Sequence, residues 1–216
     1  MNIVIFGPPA AGKGTQADNI AKKFDLFKLS TGDLLREEIE KKTALGNKIS
    51  TIINKGTLAP DEIMNELLEK RLSNNKQVKG IIFDGYPRNL SQTINLDKLL
   101  IKFDKKIDVA IRLKVSLEVI KKRISGRLVC FNCGKTYNVF FNPPKYDNDC
   151  CNIDSLKKRD DDNVDIAIKR FNTYESTTEP IFQFYRKLGL LRDVEGESSI
   201  EQISNEISGI ISLIEG

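Results

Sequence analysis

Residues 3–6 form an uninterrupted β-branched and aromatic run, Ile-Val-Ile-Phe, the pattern of a strand buried on both faces. After a glycine-rich turn the spacing changes to Ala17, Ile20, Ala21 and Phe24, which sets the apolar positions on one face of a helix. A short strand over residues 27–29 follows, then helical stretches over 33–42, 45–55 and 61–72, with Gly56 placed to end the second. Residues 80–83 and 109–113 repeat the buried-strand pattern. Each is followed by a helix: one starts at Asn89-Leu90-Ser91-Gln92, which has capping-box spacing, and runs to about 103, and the other spans 116–125. Beyond an irregular stretch over 126–162, a long helix runs to about 187, a strand covers 190–194, and Ser199-Ile200-Glu201-Gln202 caps a last amphipathic helix.

Strand and helix alternate, and parallel strands need right-handed crossovers, so the fold class is α/β: a mainly parallel five-stranded sheet with helices on both faces. The predicted core domain takes residues 1–29, 60–125 and 163–216. Two inserts interrupt it, a helical region over 30–59 and a small subdomain over 126–162 that is too long to be a structureless loop.

Composition narrows the chemistry. A chain of 216 residues with 40% hydrophobic content buries a real core, which excludes a disordered or fibrous protein. Thirty-four basic against 30 acidic side chains leave +4, too little to argue for duplex DNA yet suited to an acidic small molecule. With no histidine, Ser-His-Asp and Cys-His catalysis and histidine-ligated metals are excluded, and the four cysteines become the metal candidates. The opening Met1 to Gly7 carries neither a secretory signal nor a membrane span, which predicts a cytoplasmic protein whose reducing surroundings favour bound metal over a disulfide.

Gly7-Pro8-Pro9-Ala10-Ala11-Gly12-Lys13-Gly14-Thr15 is a GxxxxGK phosphate loop between a predicted strand and a predicted helix. Its backbone N–H groups and the helix N-terminus make an anion site, and Lys13 reaches the outer phosphates. Gly14 occupies the usual Ser/Thr position and Thr15 comes one place later, which argues against direct magnesium ligation by that hydroxyl.

That loop, followed by Leu29-Ser30-Thr31-Gly32-Asp33-Leu34-Leu35-Arg36 and then by Phe83-Asp84-Gly85-Tyr86-Pro87-Arg88 with Gln92, resembles the nucleoside monophosphate kinases, and most closely the adenylate kinases. The resemblance covers essentially the whole chain. It implies a P-loop NTPase fold and the reaction MgATP + AMP ⇌ 2 ADP, which maintains adenine nucleotide balance. The implied partners are ATP, AMP and ADP, with magnesium arriving on ATP, no nucleic acid or membrane partner, and a monomeric state. Phosphoryl transfer has a loose transition state with charge on phosphate oxygens, so positioning and fixed cations suffice and the missing histidines are no handicap.

The resemblance assigns Ala10, Ala11, Gly12, Lys13, Gly14, Thr15, Arg123, Arg127, Thr136, Tyr137 and Ser198 to ATP. It assigns Thr31, Arg36, Thr57, Leu58, Ala59, Gly85, Tyr86, Pro87, Arg88, Gln92, Arg159 and Arg170 to AMP. Lys13, Asp84, Arg88, Arg123, Arg159 and Arg170 would serve the transfer itself, Asp84 through an indirect, water-mediated hold on magnesium. The insert over 30–59 would then bind the acceptor, and the one over 126–162 would be the lid. Gln92 has a second reading as partner of the Asn89 cap, and Asp33 one as first-turn helix charge. Arg123 and Arg127, four residues apart, are expected on one helix face. Two positions depart from the family: Ala10 stands where glycine is usual, and Leu128 where many bacterial relatives have a second arginine.

Cys130-Phe131-Asn132-Cys133-Gly134 is a CxxC knuckle that points two thiolates at one tetrahedral metal. Its counterpart, Asp149-Cys150-Cys151-Asn152-Ile153-Asp154, is less regular. Cys150 has the family spacing but is followed by the non-ligating Ile153, whereas Cys151 and Asp154 keep the two-residue gap. The favoured set is Cys130, Cys133, Cys151 and Asp154 around a structural Zn²⁺, with Cys150 as the competing ligand and free thiols or a reversible disulfide as the alternative. Within the same class, a GTP:AMP phosphotransferase or another nucleoside monophosphate kinase stays open, the long cysteine lid arguing against the short-lid pyrimidine enzymes. A zinc-ribbon nucleic-acid-binding NTPase would leave Arg36 and the segment from Asp84 to Arg88 unexplained.

Overall fold

The computed structural model describes residues 1–54, 59–75, 77–145, 151–159 and 162–215. Five parallel strands form the central sheet: β1 (Asn2–Phe6), β2 (Phe27–Ser30), β3 (Ile81–Asp84), β4 (Val109–Lys114) and β8 (Leu191–Glu195), in the order β2-β3-β1-β4-β8. The α/β expectation is met, and five buried residues place β1 at the centre.

Successive side chains of a strand point to opposite faces. Ile3 and Ile5 therefore join a core with Ala17 and Ile20 of α1 (Lys13–Phe24), Ile120 and Ile124 of α6 (Leu117–Ser125), and Ile203, Ile207 and Ile211 of α8 (Ile200–Glu215). Val4 and Phe6 join the other, with α4 (Asp61–Ser73), α5 (Leu90–Ile101) and the later turns of α7 (Val164–Lys187).

Because β1 has β3 on one side and β4 on the other, the strand order reverses beside it. The crevice at the carboxyl end of β1 is where an open α/β sheet takes its ligand.

The two interruptions are built differently. The first consists of α2 (Thr31–Glu40) and α3 (Ala44–Asn54), whose Leu34, Leu35 and Ile49 belong to the same core as Val4 and Phe6. The second contains a small antiparallel sheet, β5 (Arg127–Cys130), β6 (Thr136–Asn138) and β7 (Leu156–Lys157), in the order β6-β5-β7. Among the described residues, its own apolar cluster is Cys130, Tyr137 and Cys151, with Leu128 and Leu156 packed beside it.

Helix starts follow the local chemistry. Ser30 accepts the Asp33 N–H at 3.3 Å, so α2 begins at Thr31. Ser199 and Gln202 exchange both bonds of a capping box at 3.1 and 3.2 Å ahead of α8. One expectation is corrected: α6 ends at Ser125 with Gly126 as its cap, so Arg127 opens a strand and does not share a helix face with Arg123.

Candidate active site

The phosphate loop leaves the carboxyl end of β1 and winds directly into α1, starting at Lys13. Ala10 adopts φ +59°, the left-handed conformation that glycine takes without penalty. The Lys13 ammonium is tied down, donating to the Gly7 and Pro8 carbonyls at 2.8 and 2.9 Å. Burial pulls its pKa down to about 8, with Arg88 and Arg127 adding to the shift and Asp84 opposing it. Burial likewise lifts the Asp84 carboxyl above its ordinary value, against the pull of Lys13. A Cβ at Gly14 would sit 3.5 Å from Asp84 Oδ2, so glycine leaves the space beside that carboxylate open.

Arg123, on α6, joins two loops: its guanidinium donates to Ala11 O at 2.9 Å and to Gly196 O at 2.8 Å. Ser198, in the loop before α8, lines the same cleft. Arg127 forms a forked ion pair with Asp162, whose side chain is fully buried, and one arm of the fork measures 2.9 Å. Asp162 also receives the Arg159 N–H at 3.4 Å. The small sheet's first strand is thereby tied to the segment that follows its last, a pairing that the expected contact of Arg127 with donor phosphates does not include. Thr136 and Tyr137 of β6 line the cleft. Phe141, unassigned by the sequence, lies with its ring centroid 5.4 Å from the Arg123 guanidinium, and Lys122 lies 5.6 Å from the rings of both Phe140 and Phe141. Gly126 lies beneath Phe140, where a Cβ would come within 2.6 Å of the ring.

On the other side, Thr31 Oγ1 donates to Gly85 O at 2.9 Å and Arg88 Nε donates to the same oxygen at 2.7 Å. Gly85 has φ +81°, and a Cβ there would approach Thr31 Oγ1 to 2.8 Å. Tyr86 OH donates to Asn65 Oδ1 at 2.9 Å, and Pro87 follows it through a cis peptide bond. Burial lowers the Arg88 pKa, and neighbouring Arg170 and Arg36 push the same way. Arg36 pairs with Asp33 one turn earlier, and Arg170 of α7 donates to Ile53 O of α3 at 3.1 Å.

The Asn89 side chain accepts the Gln92 N–H at 2.8 Å, so half of the predicted capping box is present. The Gln92 side chain turns elsewhere, accepting the Arg88 N–H at 2.7 Å and donating to Asp61 at 2.6 Å. A small recess of about 10 Å³ is lined by Thr31, Leu35, Ala59, Met64, Gly85, Tyr86, Arg88 and Gln92. Thr57 and Leu58 lie outside the described residues.

The pocket adjoins an open cleft of about 1650 Å³, larger than one ligand of ordinary size needs. Lys13, Asp84, Arg36, Arg88, Arg123, Arg127, Arg159 and Arg170 all line that cleft, with Lys13, Asp84 and Arg88 at the junction of its two sides. Two phosphorylated ligands meeting end to end would be flanked by fixed cations from four parts of the chain.

In the small sheet, the sulfurs of Cys130, Cys133 and Cys151 lie within 4.8 Å of one another, with Cys133 and Cys151 at 3.4 Å. Three thiolates on one tetrahedral zinc stand about 3.8 Å apart, so this donor set fits the metal. Against the opposing effect of burial, the backbone N–H groups of Cys133 and Asn132 and the Ser155 hydroxyl draw the Cys130 thiol down to about 6. Tyr137 bonds to Cys151, which helps raise the Tyr137 phenol to about 12. Asp154, favoured as a ligand from spacing, is exposed on the short turn Ile153–Ser155 and is not among the clustered donors. Asn152 caps that turn, and Cys150, the competing ligand, lies outside the described residues.

Comparison with known proteins agrees with this geometry. The family model for adenylate kinase matches residues 5–190. The chain is 47% identical to the adenylate kinase of Pelagibacter ubique over 213 residues, covering 99% of this chain and 100% of that one. It is 42% identical over 215 residues to the adenylate kinase of Archaeoglobus fulgidus (99% of each chain), and 41% identical over 213 residues to that of Petrotoga mobilis (98% of this chain and 97% of that one). A lysine tied down within a phosphate loop, an arginine-lined cleft with room for two nucleotides and kinship along the whole length converge: the chain belongs to the adenylate kinase family and is an ATP:AMP phosphotransferase.

Proposed function

We propose that the chain catalyses MgATP + AMP ⇌ 2 ADP with the donor on the phosphate-loop side and the acceptor in the pocket between Thr31 and Gln92. The observation that carries this reading is the Lys13, Asp84 and Arg88 group, half-buried where the two sides of the cleft meet. The loop backbone from Ala10 to Thr15 holds the donor phosphates, and Lys13 exchanges its two carbonyl partners for phosphate oxygens. Arg123, Thr136, Tyr137, Arg127 and Ser198 complete the donor side. Arg36, Thr31, Ala59 and the turn Gly85 to Arg88 hold the acceptor, with Gln92 on its base and Thr57 and Leu58 beside it.

Arg88, Arg123, Arg159 and Arg170 surround the phosphoryl group in flight, where arginine's planar fork stabilises spreading negative charge. The magnesium that accompanies ATP would neutralise phosphate charge, and Asp84 would hold its water shell. The region over 126–162 acts as the lid that excludes water, and residues 30–59 close on the acceptor. Cys130, Cys133 and Cys151 hold a structural Zn²⁺ with one further donor, either Asp154 after a turn rearrangement or Cys150. A monomeric, cytoplasmic enzyme completes the proposal; among the described residues no helix is long and apolar enough to cross a membrane.

A coupled assay of ADP formation tests the reaction. ATP with AMP should give turnover, and ATP or GTP paired with UMP, CMP or GMP should give little. Equal rates with a pyrimidine monophosphate, or a preference for GTP over ATP, would overturn the substrate assignment.

A further inference from the structure

Gln92 lines the small recess beside Thr31 and Arg88 and is only 2% exposed, and both ends of its amide are tied to protein. Oε1 accepts from the Arg88 backbone N–H at 2.7 Å, while Nε2 donates to Asp61 Oδ1 at 2.6 Å. A backbone N–H can only donate and a carboxylate can only accept, so each partner independently demands the same amide orientation. Asp61 is itself steadied at the first residue of α4, where Asn89 Nδ2 approaches the same Oδ1 at 3.5 Å.

Each end of the amide retains one unused function: a second lone pair on Oε1 and a second hydrogen on Nε2. Turned to the amide's shared edge, they offer a donor beside an acceptor. A 6-aminopurine, with an acceptor at N1 beside an amino donor, completes both bonds. A 6-oxopurine with N1–H presents the reverse order and completes neither unless the amide flips. Flipping would point an NH₂ at the Arg88 N–H and a carbonyl oxygen at the Asp61 carboxylate, leaving both pairs repulsive in a buried site.

We infer that Asp61 is a positioning residue that sets the adenine specificity of the acceptor site by locking the Gln92 amide. The inference rests on the assignment of Gln92 to the acceptor base, and it concerns a residue that does not touch that base. Asp61 has an ordinary alternative role as an acidic residue in the first turn of α4, where no side chain caps the helix. That role would affect stability and leave base choice alone.

The test is the ratio of kcat/KM for AMP to that for IMP, with ATP as donor, in the wild type, Asp61→Ala, Asp61→Asn and Gln92→Ala. The ratio does not depend on the fraction of active enzyme, so partial unfolding of a variant leaves it unmoved. Asp61→Ala should lower the ratio by about tenfold, mostly through KM, because one of the two orienting bonds is lost. Asp61→Asn, whose Oδ1 still accepts from Gln92, should stay within about threefold of wild type. Asp61→Ala with an unchanged ratio, alongside a collapsed ratio in Gln92→Ala, would overturn the inference and leave the Gln92 assignment standing. An unchanged ratio in Gln92→Ala would overturn that assignment and the inference with it.

Discussion

Residues 30–59 and 126–162 both interrupt the same α/β core, yet they are held in place by different physics. Leu34, Leu35 and Ile49 of the first continue the core of the main sheet. Among the described residues, the apolar cluster of the second is Cys130, Tyr137 and Cys151, set around sheet strands of four, three and two residues. Too small to bury an adequate core, such a unit depends on crosslinks of another kind: a three-thiol cluster and the Arg127–Asp162 pair. The contrast suggests that one insert moves as part of the protein's cooperative structure, whereas the other opens and rebuilds locally.

The largest expected effects separate the two regions. Ile49 is fully buried, so Ile49→Ala should destabilise the whole protein by about 2–5 kcal/mol. The check is a urea melt followed at both the main sheet and the lid: both transitions should shift together. Cys133→Ser should leave the main-sheet transition in place and lower the thermal midpoint of the lid alone. A single shared shift in that variant would break the comparison.

Lys13 belongs to neither insert and tests the fixed part between them. Lys13→Met should lower kcat/KM for ATP by about 10²–10³-fold, the usual cost of removing one fixed donor to transition-state charge. The wild type should also show a pH signature. Burial brings the Lys13 pKa down to about 8 from the ordinary 10.5, and phosphates require the ammonium form, so kcat/KM for ATP should fall as pH rises through about 8. Stability has the opposite sign: the cost of burying the charged form is fully present below about pH 8 and relieved as pH rises toward 10.5. A pH profile of kcat/KM checks the first, and urea melts across the same range check the second. Lys13→Met should abolish both dependences.

The smallest effect concerns the loop. Ala10 at φ +59° should be relieved by Ala10→Gly, raising stability by about 1 kcal/mol. Its melting midpoint should rise without any change in the lid's protection against hydrogen exchange.

Much of this was legible in the chain itself. Buried runs such as Ile3 to Phe6 and caps such as Ser199 with Gln202 are local signals, and local signals placed the main elements. The phosphate loop and the turn Asp84 to Arg88 were legible because their chemistry demands particular residues in close succession. What stayed hidden depends on distance. Strands as short as β6 and β7 carry too few residues for a period to show. The Arg127–Asp162 pair spans 35 positions and the Gln92–Asp61 bond spans 31, so neither is visible to spacing rules. Asp154 was favoured because the interval fitted a knuckle, yet the chain's path through the turn at 153–155 leaves it exposed, away from the clustered sulfurs.

Hydrogen exchange on the wild type and Cys133→Ser tests the central contrast most directly. The account predicts that protection falls in β5 and β6 of the variant while α3 and the central strands keep theirs. Equal loss in α3, or unchanged protection in the lid, would contradict it.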